Sequence, residues 1–169
     1  MGEQIRSGRF SVRNDDEVVL FLVGIRVNRW RAVRKWLPVL RSLRPMLREA
    51  VEDGHGLVTY RVQVHGPREL VVVQYWRGVD ELMDFSDGAT HRAAWRDFYK
   101  HASGGAAVGI WHETYVVPAG RYEAIYGIVP PAGLAKVQAM VPVGRRNEGA
   151  RVRLDLDETT RTGTAEPSA

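Results

Sequence analysis

The alternation of apolar and polar residues along the chain predicts a sequence of strands and helices. Residues 17–27, EVVLFLVGIRV, form a near-continuous β-branched and apolar run, which is typical of a strand buried on both faces. Residues 36–56 carry leucines and a valine at helical spacing, which predicts a helix that ends at Gly54 or Gly56. Pro45 lies inside this segment and predicts a kink or a break there.

Two strand-like segments follow this helix and predict a β-hairpin. Residues 57–65, LVTYRVQVH, alternate so that Arg61 and Gln63 lie on the face opposite to Tyr60 and the valines. The turn-forming GPRE then leads into a second strand at residues 70–76.

The next segments predict a broken helix and further strands. Residues 78–102 show helical periodicity that is interrupted near Gly88. Residues 108–117, VGIWHETYVV, predict a strand, and residues 121–129 predict a further strand or an extended packing segment. Residues 134–143 predict one short helix.

The order β-α-β-β-α-β over residues 17–143 is that of the ferredoxin-like plait, an α+β fold. The helices of this plait cover one face of its sheet, whereas the first and third predicted strands are apolar on both faces. A second copy of the chain is the simplest cover for the other face, so we expect a homodimer with a dimeric α+β barrel. Residues 1–16 are polar and expected to fray, and residues 144–169 have the composition of a disordered tail.

The composition excludes several classes of protein. A chain of 169 residues with 44% hydrophobic residues can bury one domain core. No apolar run reaches the ~18 residues of a membrane span, and the first residues lack the apolar region of a secretory signal. The absence of cysteine excludes disulfides and thiolate sites, and we expect a cytoplasmic protein.

Positive charge is concentrated before residue 50, where arginines crowd the first predicted helix. Such a face could contact phosphate or an anionic surface. No nucleic-acid-binding signature accompanies it, so we interpret it as a solvated helix face and expect no nucleic-acid partner.

Two histidines are predicted to face the interior. In helical spacing His91 shares a stripe with Trp95 and Phe98, and in strand spacing His112 shares a face with Ile110. A histidine on an apolar face is most often a hydrogen-bonded core residue, and that explanation stays open for both.

Several kinds of catalytic site do not fit these residues. A zinc site needs a third ligand that no spacing supplies, and no serine or cysteine stands in a nucleophile motif. A haem needs only one axial histidine, an apolar slot and a few polar groups, which these segments could provide.

The chain resembles a bacterial group known as monooxygenase family proteins, whose function is unknown. The resemblance rests on VVLFLVGIRVNRW, WLPV and GIWHETYVVPAGRYEAIY and extends over residues 17–137. Its small antibiotic-biosynthesis monooxygenase relatives imply a dimeric α+β barrel that acts on a small molecule.

A shorter resemblance concerns the haem-dependent aldoxime dehydratases. THRAAWRDF followed by IWHETYVV is similar to their C-terminal half, in which a helix histidine binds the haem iron and a strand histidine stands on the distal side. The resemblance implies that His91 is the axial ligand of a haem b iron and that His112 is the distal acid and base. It also implies that Trp95, Phe98 and Ile110 contact the haem.

The polar distal groups of that family have no counterpart in this single-domain chain. A second copy could supply them, and Arg61 and Gln63 are the candidates with a catalytic role, beside Arg26 and Asn28. The implied function is a haem-dependent dehydration or monooxygenation of a small N-oxygenated or aromatic substrate.

Two alternatives stay open. One is a cofactor-free monooxygenase that would use residues from a set of five (Trp76, Trp95, Trp111, His112 and Arg61). The other is a non-catalytic ligand-binding barrel in which the histidines only pack.

Overall fold

The computed structural model describes residues 4–52, 54–102 and 106–154. They belong to two compact units, one of residues 19–116 and one of the residues up to 18 together with those from 117 onwards. The elements in chain order are β1 (Arg6–Val12), β2 (Val18–Val27), α1 (Val33–Glu52), β3 (Leu57–Val64), β4 (Glu69–Trp76), α2 (Val79–Ser86), α3 (Ala89–Ala102), β5 (Val108–Val117), β6 (Tyr126–Val129), α4 (Leu134–Val137), β7 (Met140–Pro142), a 3₁₀ turn (Arg145–Asn147) and α5 (Ala150–Arg153).

The unit of residues 19–116 has the predicted ferredoxin-like α+β topology. Its sheet has the strand order β3-β4-β2-β5, so the first and last strands of the β-α-β-β-α-β series are neighbours. β4 pairs antiparallel with both β2 and β3. At the junction with β5, the Asn28 backbone N–H donates to the Ala107 carbonyl at 2.9 Å.

The register decides which side chains share a face of this sheet. Val23 lies opposite Val72, and Phe21 lies opposite Gln74. Directly opposed residues of antiparallel strands point to the same side, and this side packs against the helices. The buried cluster between sheet and helices contains Val19, Ile25, Val39, Leu43, Leu47, Ala50, Leu57, Val72, Trp76, Leu82, Phe85 and Val108.

The first helix differs from its prediction in its start, at Val33 rather than residue 36, and in its continuity. α1 continues without interruption through Pro38 and Pro45, so the predicted break is absent. Pro45 is exposed, where water can bind the carbonyl that loses its helical donor. Val51 is 44% exposed, while Leu47 and Ala50 are buried.

β3 is the edge strand of this sheet, and its apolar face is largely uncovered. A register shift between Leu57 and Thr59 takes Val58 out of the regular alternation. Val62 and Val64 share the helix-facing side with Val72 and Leu70, yet they are 49% and 77% exposed. The helices therefore cover the start of β3 at Leu57 but leave its end at Val62 and Val64 open.

The other unit contains a three-stranded antiparallel sheet of order β6-β1-β7. Residues 6–12, which the sequence predicts to be frayed, are the central strand of this sheet. β1 shows no strong apolar signal, but pairing on both sides satisfies its backbone groups. The predicted strand at residues 121–129 is shorter, and residues 134–143 form α4 and then β7 instead of one helix.

A buried tyrosine and an ion pair lie within this unit. The Tyr122 hydroxyl donates to the Asp16 carbonyl at 2.9 Å, and burial raises the pKa of Tyr122. Arg153 Nε lies 2.8 Å from Glu123 Oε2. Arg153 belongs to α5, so the start of the predicted disordered tail is helical, and residues 155–169 lie outside the described residues.

Within the described ranges, no helix has both the length and the apolar character that a membrane crossing needs.

Candidate active site

A cavity of about 310 Å³ lies between the sheet and the helices of the unit 19–116. This volume is at the lower end of the roughly 300–1,000 Å³ found for small-molecule sites. Its walls are mainly aliphatic and aromatic side chains from β2, β4, β5 and all three helices. The lining includes the polar and aromatic residues Phe21, Ser42, Gln74, Trp76, Phe85, Ser86, His91, Trp95, Phe98, His112 and Thr114, together with Ile110.

His91 lies in the first turn of α3 and has both ring nitrogens in hydrogen bonds. Its Nδ1 is 2.7 Å from the Ser86 carbonyl oxygen, and its Nε2 accepts a hydrogen bond from the Trp95 indole at 3.2 Å. A carbonyl can only accept, so Nδ1 carries the proton. The lone pair of the neutral imidazole is therefore on Nε2.

The turn between α2 and α3 positions this imidazole. Gly88 N–H donates to the Phe85 carbonyl at 3.0 Å, and a Cβ at Gly88 would lie 2.9 Å from that same oxygen. The absence of a side chain lets α3 start close to the end of α2. Ser86 is the last residue of α2, where helical carbonyls lack an intrahelical partner, and its carbonyl accepts from His91 instead.

His112 lies on β5 in another part of the cavity wall. Its ring packs against Phe21 with centroids 5.6 Å apart. His112 and Thr114 are exposed, whereas His91 is half-buried. The cavity is therefore open on the side of His112, so its occupant is not limited to the enclosed volume.

Four polar side chains line the cavity but are absent from the predicted site: Ser42, Gln74, Ser86 and Thr114. Gln74 is only 6% exposed, and its Oε1 accepts from Trp76 Nε1 at 3.0 Å. Its signal was present in the sequence, because Gln74 is a polar residue in the inward register of an otherwise apolar strand. Ser42 carried no such signal, since its Oγ donates to the Val39 carbonyl as any helical serine can.

The structure brings five of the seven predicted site residues together. His91, Trp95, Phe98, Ile110 and His112 all line the cavity. Arg61 and Gln63 do not, because they lie opposite Val73 and Val71, which point away from the helices. Within one copy of the chain, these two side chains therefore do not lie with the histidines, and their contribution from a second copy stays a prediction.

The face of the sheet away from the cavity has its own polar cluster. Trp111 Nε1 donates to Glu69 Oε1 at 2.7 Å, and Arg26 Nη1 lies 3.3 Å from Glu69 Oε2. On the same face Tyr115 donates to Glu113 at 2.7 Å, and this hydrogen bond raises the pKa of Tyr115. Of the five residues considered for cofactor-free oxygenation, Trp111 and Arg61 lie on the sheet face opposite to His112. The five therefore do not form one site within one copy of the chain.

A surface groove adjoins the cavity at α3. It is lined by Ser86, His91, Arg92, Trp95, Arg96 and Tyr99. Ser86, His91 and Trp95 belong to both the groove and the cavity, so they form the wall between them. Arg92 and Arg96 give the groove a positive charge.

These residues fit a haem better than a bare metal ion. Among the described residues, no group of three or more His, Cys, Asp or Glu could hold a metal ion. A haem brings four ring nitrogens of its own and requires one axial ligand, which Nε2 of His91 can be. The hydrogen bond from Nδ1 to a carbonyl is the usual support of a metal-binding histidine.

Residues 18–134 match the family described as Monooxygenase af470-like. The chain belongs to this family. No curated protein matches the sequence.

Two aldoxime dehydratases of known structure show the same fold. An aldoxime dehydratase (OxdRE) crystallised with butyraldoxime superposes with a TM-score of 0.65 at 20% identity over 85% of this chain. A second aldoxime dehydratase gives a TM-score of 0.65 at 18% identity over 94% of this chain. The chain spans 43% and 47% of the lengths of these two proteins. A cofactor-independent oxygenase from Streptomyces nogalater, SnoaB, gives 0.41 at 16% identity over 59% of this chain and 91% of its own.

Proposed function

We propose that this protein is a haem-dependent enzyme that dehydrates a small aldoxime or a related N-oxygenated compound. The main support for this proposal is the orientation of His91, whose Nε2 lone pair lies at the wall of an apolar cavity that is also lined by His112. Haem b would be held through His91, and Trp95, Phe98 and Ile110 would line its pocket. The groove beside Arg92 and Arg96 would be available to its carboxylates.

When bound, the haem supplies an iron that holds and polarises the nitrogen of the substrate. The chain's own contribution to the chemistry is proton transfer at His112. Its imidazole gives a proton to the hydroxyl oxygen while the N–O bond breaks and the bonding electrons leave with the oxygen, which forms water. The same imidazole then takes the proton from the aldoxime carbon, and the electrons of that C–H bond complete the nitrile triple bond.

Three features of the cavity support this role of His112. Phe21 packs on the imidazole ring of His112 and orients it. Because His112 is exposed, its imidazole can exchange protons with water between turnovers. The polar side chains of Ser42, Gln74 and Thr114 in the same cavity wall can orient the N–OH group, while the apolar walls favour a substrate with an aliphatic or aromatic remainder.

Assembly as a homodimer is part of the proposal. A second copy would cover the sheet face that carries the partly exposed Leu20, Leu22 and Val73 and complete the α+β barrel. A cytoplasmic location remains a prediction.

The test is an absorption spectrum of the purified protein with hemin, before and after dithionite. We expect a sharp Soret band that His91→Ala loses and that His65→Ala keeps, because His65 is exposed at the turn between β3 and β4. His112→Ala should keep the band and lose aldoxime turnover by about 100-fold or more, the usual loss when a general acid is removed.

Two outcomes would contradict the proposal. A Soret band that survives His91→Ala and His91→Gln would mean that another residue binds the iron. A colourless protein without tight hemin binding would favour cofactor-free oxygenation, which would be tested with phenolic substrates, or simple ligand binding.

A further inference from the structure

The nitrogen of His91 that would bind iron already has a partner within the same helix. Trp95 lies one turn after His91 in α3, and its indole Nε1 donates to Nε2 at 3.2 Å. The two rings stand edge to face, with centroids 6.2 Å apart and an interplanar angle of 74°. This arrangement directs the N–H edge of the indole at the imidazole.

The two hydrogen bonds of His91 select the same tautomer. The Ser86 carbonyl needs a proton on Nδ1, and the indole N–H, which can only donate, needs a lone pair on Nε2. The Ser86 carbonyl therefore keeps the lone pair on Nε2, where it could bind a metal, and the Trp95 indole forms a hydrogen bond with that lone pair.

Trp95 lies at the boundary between the cavity and the groove, with an aromatic neighbour on each flank. Its ring belongs to the wall between the inner cavity and the outer groove. On its flanks Phe98 stands edge to face with centroids 5.6 Å apart, and Tyr99 lies at 5.7 Å with an interplanar angle of 31°. Tyr99 lines the outer groove, so Trp95 has an aromatic neighbour on the side away from the inner cavity.

We propose that Trp95 is a positioning residue that masks Nε2 of His91 in the ligand-free protein. Binding of any electrophile or metal at Nε2 then exchanges the indole hydrogen bond for the new bond and turns the indole away. For iron porphyrin this inference rests on the proposed function, but the masking itself is a property of the chain alone.

The first experiment uses diethyl pyrocarbonate, which modifies the free lone pair of neutral imidazole, on the ligand-free protein. The modification of each histidine is followed by peptide mass spectrometry. Trp95→Phe keeps an aromatic ring without the N–H, and we expect its His91 to react about two- to tenfold faster, the ratio that corresponds to one neutral hydrogen bond. The rate at His65 should not change.

Trp111→Phe is the matched control. It also removes an indole N–H that is bonded, in this case to Glu69, on the other face of the sheet. Equal His91 rates in wild type, Trp95→Phe and Trp111→Phe would overturn the masking.

A measurement on the wild type guards against a variant that fails to fold. Nitrogen-15 NMR of His91 should show a proton on Nδ1 and none on Nε2, with the Trp95 indole proton shifted as expected for a hydrogen bond. A proton on Nε2 would overturn the inference.

Hemin titration separates this inference from the proposed function. If the haem proposal holds, Trp95→Phe should bind hemin about two- to tenfold more tightly than wild type. If no form binds hemin but His91 is unmasked by Trp95→Phe, the haem function fails and the masking stands. If all forms bind hemin equally through His91 and react equally with the reagent, the haem function stands and the masking fails.

Discussion

Trp111 lies over the backbone of β2 at Gly24, where a strand residue normally carries a side chain. A Cβ built on Gly24 would lie 2.1 Å from Trp111 Cε2, and the indole is anchored there by its hydrogen bond to Glu69. Glycine is therefore required by space at this position rather than by backbone conformation.

Gly24→Ala should destabilise the protein by about 1–3 kcal/mol, because the new methyl group forces Trp111 away from Glu69. Urea unfolding followed by circular dichroism would measure the loss. Gly127→Ala is the control, since nothing lies within 4 Å of its added Cβ, and its stability should stay close to that of wild type. An equally small effect of Gly24→Ala would contradict the close contact.

α1 shows how an element can be predicted while its orientation is missed. The leucines and valines of this helix lie on one side of it, and their spacing alone does not tell which part of that side is buried most deeply. The structure buries Val39, Leu43, Leu47 and Ala50 and leaves Val51 44% exposed. Periodicity finds a helix, but the sheet that it packs against selects the buried stripe.

The pair Leu47→Ala and Val51→Ala tests this orientation. Leu47 is 5% exposed, so its truncation should leave a cavity and cost about 2–5 kcal/mol of unfolding free energy. Val51 is 44% exposed, and its truncation should change stability by no more than about 0.5 kcal/mol. Thermal or urea unfolding of the two variants would decide, and a larger loss at Val51 would contradict the register of the helix.

For the molecule as a whole, the proposed dimer predicts the solution mass. The chain has a mass of 19.0 kDa, and light scattering after gel filtration should give twice this value at micromolar concentration. Val73→Asp, on the sheet face away from the helices, should shift the mass toward the monomer, because a buried carboxylate opposes apolar contact.

Val62→Asp is the matched control for assembly, since Val62 is exposed on the helix-facing side of the edge strand. It should keep the mass of the wild type. A wild-type protein that stays at the monomer mass at all accessible concentrations would contradict the dimer.

The sequence by itself determined the order of the central elements and the grouping of side chains on each. Alternation in β5 put His112 with Ile110, and helical spacing in α3 put His91 with Trp95, because both groupings follow from the period of one element. The structure brings the two groups together in one cavity.

Only the tertiary structure decided which face of each strand is covered by the helices. Alternation in β3 correctly separated Arg61 and Gln63 from Tyr60, but no local pattern tells which side of a strand the helices will cover. Likewise β1 has no strand signal of its own, and it becomes a strand through pairing with β6 and β7. The tautomer of His91 was also beyond the sequence, since it depends on the Ser86 carbonyl that the α2–α3 turn brings within 2.7 Å. Contacts within one element follow its period, whereas contacts between elements require the packed structure.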